Sequence, residues 1–573
     1  MNRTRIRSVL RCEHLEHRDA PATLVGNTKV TYQDFDGDNV AVVFTKPILS
    51  AGNVDAIFGA GFVTGDTTTK QTVSKIDLTS VAGAAQGVGI TTSAVRSLVN
   101  GGDGFATLGH IDATGIDLGA VTIDGDLGRV RAGDATTSTS GLKGLTVRSL
   151  GRFGTNTGAP DLDSVIQGKL GFLIVKSDIK EASVVALGGV DGRIGSVTIG
   201  GSLLGGAATA SGRIVSFGDM GPVRVAGNVQ GLGGQGSGEI VSVGTLASVT
   251  VGGSILGGTG NFSGRISSGG IGAVRITGNV LGGAGSGSGT VTSANALSVV
   301  TIGGSLVGGA SDFSGRILSL GTMGVVRIAG NVVGGSASGA ANLSESGFIH
   351  GKRIASITIG GSLFAGVNTT SGTFANNGAI RADDDIGAML VNGSVLGNGT
   401  NKAIISARGK ATPTATADVA IGSFRVLGRV ELGNILAGFD ATGTPRNADA
   451  QIGAVSVGGD WIASNIVAGA VNFGADGLPG GVGPGADNVD FGNGNDVKMS
   501  GMVKDDSLVF SQIASLTIGG QVMGTIGFAD HFGIVAENIG AVRIGGTLLT
   551  LAAGKSNDDF LVGITSDLRV NEA

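Results

Sequence analysis

The sequence predicts an all-β chain: a right-handed parallel β-helix, or β-solenoid, of roughly 15–16 coils behind a β-rich N-terminal cap. Three observations lead there. The stretch "VTIGGSLLGG" at Val197 returns as "VRVAGNVQGL" at Val223, "VTVGGSILGG" at Val249, "VRITGNVLGG" at Val274, "VTIGGSLVGG" at Val300 and "VRIAGNVVGG" at Val326. These copies stand 25 or 26 residues apart, one coil of a stacked array rather than a propeller blade of about 40 residues. The composition agrees, with 109 Gly among 573 residues, 41% hydrophobic, 4% aromatic and 14% charged residues. Gly does not fall at every third position, which excludes collagen, and regular Val/Ile pairs exclude simple disorder.

Each repeat element has a physical reason. Positions one and three of the decapeptide are Val, Ile or Leu, as in Val197 and Ile199, while position two tolerates water. That is a short strand with one face buried. Position five is Gly201, Gly227, Gly253, Gly278, Gly304, Gly330 and Gly361, which predicts a corner needing positive φ. Position seven is apolar again: Leu203, Val229, Ile255, Val280, Leu306, Val332 and Leu363. A further apolar column precedes the decapeptide at Ile214, Ile240, Ile266, Val291 and Ile317. Ordering one such coil costs on the order of 1–2 kcal/mol per residue. Its roughly four or five buried aliphatics return only about 1.5–3 kcal/mol each. A coil therefore folds only in a stack.

The alternation between neighbouring copies follows from stacking. Position two reads Thr198, Arg224, Thr250, Arg275, Thr301, Arg327 and Thr358, so a Thr separates each pair of arginines. Like charges directly opposite on adjacent strands are destabilising. The column before Ile214 reads Arg213, Glu239, Arg265, Thr290 and Arg316, which stacks opposite charges instead.

The same pattern divides the chain. Residues 1–22 read as an export or targeting-like segment, 23–110 as the β-rich cap, 111–548 as the solenoid and 549–573 as a C-terminal cap. Regular coils occupy 197–350, and longer, loop-bearing coils occupy 351–515. The loops fall at 366–384, 397–420, 437–451 and 468–500, and loops clustered on one face of a solenoid often form its binding face. A double interval between Val455 and Leu516 predicts one degenerate coil through Asn488 to Met499. At the strand spacing the array is about 75 Å long.

Several function classes fall away. A formal net charge of -5 without a basic block argues against nucleic acid. Cys12 is the single cysteine, so neither a disulfide framework nor a thiolate metal site is expected. No run approaches the roughly 18 apolar residues of a membrane span, and the basic N-terminus lacks the apolar core of an ordinary signal peptide. Calcium is the one cofactor the residues can be argued to hold. Asp34, Asp36 and Asp38 in "DFDGDN" have the spacing of oxygen ligands in a calcium loop, and a plain hairpin turn is the competing reading. Asp496 in "GNGNDVKM" resembles a lone calcium nonapeptide. Asp383, Asp384 and Asp385 in "RADDDIG" are the candidate paired carboxylates, with Arg381, Lys402 and Arg408 on neighbouring coils. An acidic, solvated corner is the simpler account of them.

The element "LEHRDAPA" from Leu15 to Ala22 resembles the Leu-Glu-x-Arg-x-x-Pro-Ala element of uncharacterised planctomycete extracellular proteins. The "TYQDFDGDNVAVVF" cap, the Gly-rich array and the "NDDFLVGITSDLRV" ending look like the same group. The resemblance implies an extracellular or cell-surface location and supplies no catalytic residues. The leading expectation is a non-catalytic structural or adhesive rod, with surface polysaccharide or cell-envelope proteins as partners. The alternative is a β-helix that binds or cleaves acidic polysaccharide around Asp383–Asp385.

Overall fold

The alternation of apolar and water-tolerant residues makes each decapeptide a short strand. In Val197–Ile199 the two ends are buried and Thr198 is exposed. The computed structural model describes residues 22–60, 62–63, 71–98, 101–472, 491–501, 503–525 and 530–573. Cys12, nearly all of the leader-like segment and the middle of the 468–500 loop lie outside the described residues. The fold is all-β, with 51% strand against 4% helix, and its strands stack in parallel like the coils of a solenoid.

Each regular repeat contributes three strands, represented by Val197–Ile199, Leu203–Leu204 and Arg213–Ser216. Strands of one kind pair with their equivalents one repeat away, which builds three parallel sheets. In sheet one, a continuous register joins Ile90, Val121, Leu145, Leu173, Val197, Val223, Val249, Val274, Val300, Val326, Ile357, Met389, Phe424, Val455, Leu516 and Val542, sixteen rungs among the described residues. Sheet two stacks Leu203, Val229, Ile255, Val280 and Leu306, then continues to Trp461 and Val522. Sheet three stacks Ile214, Ile240, Ile266, Val291 and Ile317, then continues through Ile380, Ile405, Ile435 and Ile466 to Ile534 and Val570. All three columns belong to one apolar core that runs from Val30 in the cap to Val570.

The register aligns the alternating side chains as the sequence predicts. Thr198 stands opposite Arg224, Arg224 opposite Thr250, and Thr250 opposite Arg275. Arg213 lies against Glu239 and Glu239 against Arg265, where Arg265 Nη2 reaches Glu239 Oε1 at 2.9 Å.

The corner glycines require a correction. None of Gly201, Gly227, Gly253, Gly278, Gly304, Gly330 and Gly361 has positive φ. What excludes a side chain there is crowding from the coil below. A Cβ on Gly227 would lie 2.2 Å from Ser202 Oγ, and one on Gly304 would lie 2.1 Å from Asn279 Oδ1. Those oxygens belong to a ladder at position six of the decapeptide. Ser202 Oγ accepts Asn228 N–H at 3.0 Å, Asn228 Oδ1 accepts Ser254 N–H at 2.8 Å, and Ser254 Oγ accepts Asn279 N–H at 3.0 Å. Glycine lets this ladder approach the backbone. The left-handed corner is elsewhere, at Gly212, Gly238 and Gly264, with φ of 61°, 66° and 62°. The serines before them are buried, and Ser211 and Ser263 accept the N–H groups of Gly206 and Gly258 at 2.8 and 2.9 Å.

Both ends of the stack reverse strand direction. Lys29–Gln33 and Asn39–Phe44 form an antiparallel hairpin, and Asn39–Phe44 pairs antiparallel with Ile90–Val95. The other edge of Ile90–Val95 is already parallel, pairing with Leu118–Gly133. Tyr32, Phe44, Phe58 and Phe62 fill this end with ring centroids 5.4–6.1 Å apart. At the C-terminal end, Leu568–Glu572 extends sheet three and Asp559–Val562 covers it antiparallel. Covered edges remove a template for edge-to-edge aggregation.

The degenerate coil expected through Asn488 to Met499 is not a rung. Val455 pairs directly with Leu516, and Ile466 pairs with Ile534. Asn488 lies outside the described residues; of the described part of the segment, Ala470–Asn472 and Asp496–Lys498 pair antiparallel with each other, outside the stack. A long insertion needs only a loop closure, whose entropy grows slowly with length.

Candidate functional site

The long coils differ from the regular coils on the outer face of sheet three. There one register runs through Thr292, Leu318, His350, Arg381, Ser406, Leu436, Val467 and Val535. The first three are partly exposed, and the last five are buried. The cover is a second apolar cluster. Leu436, Val467 and Val535 from the sheet pack with Phe439, Ala448, Val471, Phe491 and Met499 from the inserted segments. Loops of the long coils thus form a second layer on one face of the stack.

Beside this layer opens a groove of about 820 Å³. Its walls include Phe374, Ile404 and Phe532, the turn from Asn398 to Lys402, and the polar side chains of Arg381 and Asn434. Lys402 Nζ lies 5.2 Å from the centroid of the Phe532 ring. Asp530 is the acid on the same wall, and Thr525 Oγ1 donates to its Oδ1 at 2.5 Å.

Arg381 is unusual for a buried cation, with only 4% of its surface exposed. Nε donates to Asn376 Oδ1 at 2.7 Å, and Nη1 to Ser406 Oγ at 2.8 Å and the Asp440 carbonyl at 3.3 Å. All three acceptors are uncharged. The Asp440 carboxylate is engaged by Arg446 at 2.9 Å and by Thr442 and Thr444. Burial pulls the guanidinium down to about 10, with Asp440 and Glu345 acting in the opposite direction. Buried cations are ordinarily paired, and this one has no carboxylate partner among the described residues.

The three aspartates of "RADDDIG" lie just beyond the strand Ala379–Ala382 that carries Arg381, but they do not form a pair. Asp383 faces His350 Nε2 at 3.1 Å, Asp384 faces Arg408 Nη2 at 2.7 Å, and Asp385 faces Arg353 Nε at 3.2 Å. Asp384 and Asp385 are each paired with an arginine of a neighbouring coil, and Asp383 shares a hydrogen bond with His350 of a neighbouring coil. Asp384 and Asp385 are buried. The arrangement fastens coils together and sends the three carboxylates to three different partners rather than to one another. Of the cations expected nearby, Arg381 and Lys402 line the groove, whereas Arg408 is taken by Asp384.

The acidic turn of the cap is a real cluster. Among the described residues, Asp34, Asp36 and Asp38 form the only trio of acidic, His or Cys groups whose ligand atoms lie within 4.8 Å of one another. Asp38 is fully buried and accepts the Ser97 and Gly104 N–H groups, both at 2.5 Å. Its carboxylate anchors the following loop. Asp34 is pushed up to about 8, first by burial and then by its hydrogen bond to Asp36. Burial also works upward on Asp36, but the bonds from Asp34 and the Asp103 N–H outweigh it and hold that carboxyl below its ordinary range. Asp496 likewise serves structure: it accepts Asn472 Nδ2 at 2.9 Å, Gly492 N–H at 2.6 Å and Asn571 Nδ2 at 3.2 Å.

Sequence reasoning placed loops at 366–384, 397–420 and 437–451, and all three reach the groove. It missed Phe374, Asn401, Asn434 and Phe532. The available signal was the outward column of sheet three, which turns from Ser267 and Thr292 to Leu436 and Val467. No protein-family model, curated protein or solved structure matches the chain.

Proposed function

We propose that this protein is a non-catalytic structural or adhesive rod of the cell surface or extracellular space, which presents its inserted loops to a partner. The observation that carries the reading is the second apolar layer of Leu436, Phe439, Val467, Phe491 and Met499. It holds the loops of successive long coils in fixed positions on one face, as a contact surface requires. The separate engagement of Asp384 by Arg408 and of Asp385 by Arg353 supports a non-catalytic role. Surface polysaccharide and cell-envelope proteins are the partners such a rod would meet. The finer architecture belongs to the same proposal: a right-handed coil of roughly 15–16 turns, about 75 Å long. Right-handed crossovers between parallel strands are strongly favoured.

Cell fractionation with an antibody to the chain is the direct test. The expected result is protein in the envelope or medium, accessible to protease added outside intact cells. Protein confined to the soluble interior would sink the reading. Small-angle scattering of the purified chain tests the rod, because a compact particle would contradict the coil count.

A further inference from the structure

We propose that the groove beside Arg381 binds a carboxylate-bearing saccharide, a uronate unit of an acidic glycan. The proposal rests on the reading of the loop face as the contact surface and assigns that surface a ligand class.

Three features carry it. First, Arg381 is a cation buried to 4% exposure without an ion-pair partner among the described residues, and its Nη2 has no acceptor among them while its other nitrogens do. Asn434, 6% exposed, accepts Asn465 Nδ2 at 2.9 Å through Oδ1, so its own Nδ2 is uncommitted. The Arg381 Nη2 donor, fixed in a desolvated wall, suits a carboxylate, because charge-assisted bonds to a guanidinium are the strong ones, and Asn434 Nδ2, two coils further along the same face, offers a separate donor to the same saccharide chain. Second, Asn401 donates through Nδ2 to the carbonyls of Gly366 and Asn377 at 3.1 and 3.2 Å, which leaves Oδ1 to accept from a ligand hydroxyl. Third, Phe374, which is partly exposed, lines the same groove, with the buried Phe532 ring behind it. Aromatic rings supply flat apolar area for the C–H face of a sugar. A volume of about 820 Å³ lies within the usual range for a bound organic ligand.

The fit excludes other occupants. A purely apolar ligand would leave the Arg381 and Asn434 donors desolvated and unpaired, which is unfavourable. A cation would face the Arg381 guanidinium, which has no carboxylate partner among the described residues. A neutral saccharide would forfeit the interaction that offsets burial of the guanidinium. Asp530 in the same groove disfavours a densely anionic ligand and suits alternating acid and hydroxyl groups.

Titration calorimetry of the full chain with a defined oligogalacturonate, a neutral galactose oligomer of the same length and sodium acetate separates the cases. The expected result is saturable binding of the oligogalacturonate, at least tenfold weaker binding of both others, and weakening as salt rises. Arg381→Gln should reduce affinity at least tenfold. Because Arg381 also holds Asn376 and Ser406, its melting curve is compared with wild type. Phe374→Ala, on a partly exposed wall residue, provides a second variant with an expected loss of about tenfold. Equal binding of acidic and neutral oligomers, no binding of either, or full affinity in a folded Arg381→Gln variant overturns the proposal. Protein that is found on the cell surface but does not bind oligogalacturonate overturns this assignment and leaves the surface-rod reading standing.

Discussion

The regular coils at 197–350 and the loop-bearing coils at 351–515 share the same three inward columns and differ in what lies outside them. In the regular coils the outer surface is self-sufficient. A Ser/Asn ladder joins each corner to the next, from Ser202 through Asn228 and Ser254 to Asn279. In the long coils the ladder continues through Ser362 and Ser394, breaks once at Arg429, whose side chain turns to Glu431 at 2.7 Å, and resumes where Asp460 Oδ1 accepts Gln521 N–H at 2.8 Å. There the outer face is stabilised by the second apolar layer and by buried polar groups such as Asp418, held by Lys504 and by Asn447 at 2.8 Å. The comparison teaches that the inward columns suffice to specify the stack. What covers the outer face is free to vary, and function can be placed there without disturbing the coil.

The largest test of that division is an inward truncation in each region. Trp461→Ala removes a fully buried ring whose Nε1 donates to the Ser464 carbonyl at 2.9 Å, and about 3–5 kcal/mol of stability should be lost. Leu306→Ala in the regular region should lose about 2–5 kcal/mol. Urea unfolding followed by circular dichroism measures both. If Trp461→Ala proves nearly neutral, the inward column is not what holds the long coils.

A smaller effect separates the two kinds of corner. Gly304→Ala places a Cβ 2.1 Å from Asn279 Oδ1 and should lose about 1–3 kcal/mol. At Gly459 the coil below carries Arg429 in place of the ladder, and the closest atom to a new Cβ is 3.1 Å away. Gly459→Ala should therefore be the milder substitution in the same unfolding assay. Equal losses would show that backbone conformation, not the ladder, selects glycine.

Thr250→Arg sharpens the account of alternation. It would place a new guanidinium directly between Arg224 and Arg275, so that cations stand on three successive coils. The expected loss is about 1 kcal/mol and shrinks as salt is added. A loss that salt does not change would point to packing rather than charge.

A last test contrasts the cap with the array. Asp34 is pushed up to about 8, so the folded cap holds a proton that the unfolded chain releases near pH 4. The folded state binds more protons between those values. Its contribution is complete below pH 4 and is lost as pH rises toward 8. Asp34→Asn should flatten the melting temperature across that range. Calcium that raised the melting temperature at pH 8 in wild type but not in the variant would establish Asp34 as a ligand.

Much of the fold was legible because it repeats. Val197, Val223 and Val249 recur at one interval, and a parallel stack is the arrangement that buries them all. The corners were located correctly, but their cause was not legible. Crowding by Asn279 on Gly304 depends on a residue 25 positions earlier in the chain. The gap between Val455 and Leu516 misled for a related reason, because counting intervals cannot distinguish a coil from an excursion. The groove was legible only as loops. Arg381 stood out in sequence as a neighbour of three aspartates, yet those aspartates pair with His350, Arg408 and Arg353.

The sequence by itself determined the strands, their period, the inward columns and the separation of arginines along Thr198, Arg224 and Thr250. Each depends on residue type at a fixed spacing, and in-register stacking turns spacing into contact. Only the tertiary structure decided which loops converge, which charges pair and which cation is left buried without a partner among the described residues. Those outcomes depend on side chains from coils 24 to 86 residues apart, as between Arg408 and Asp384 or Lys504 and Asp418, where no local pattern records the distance.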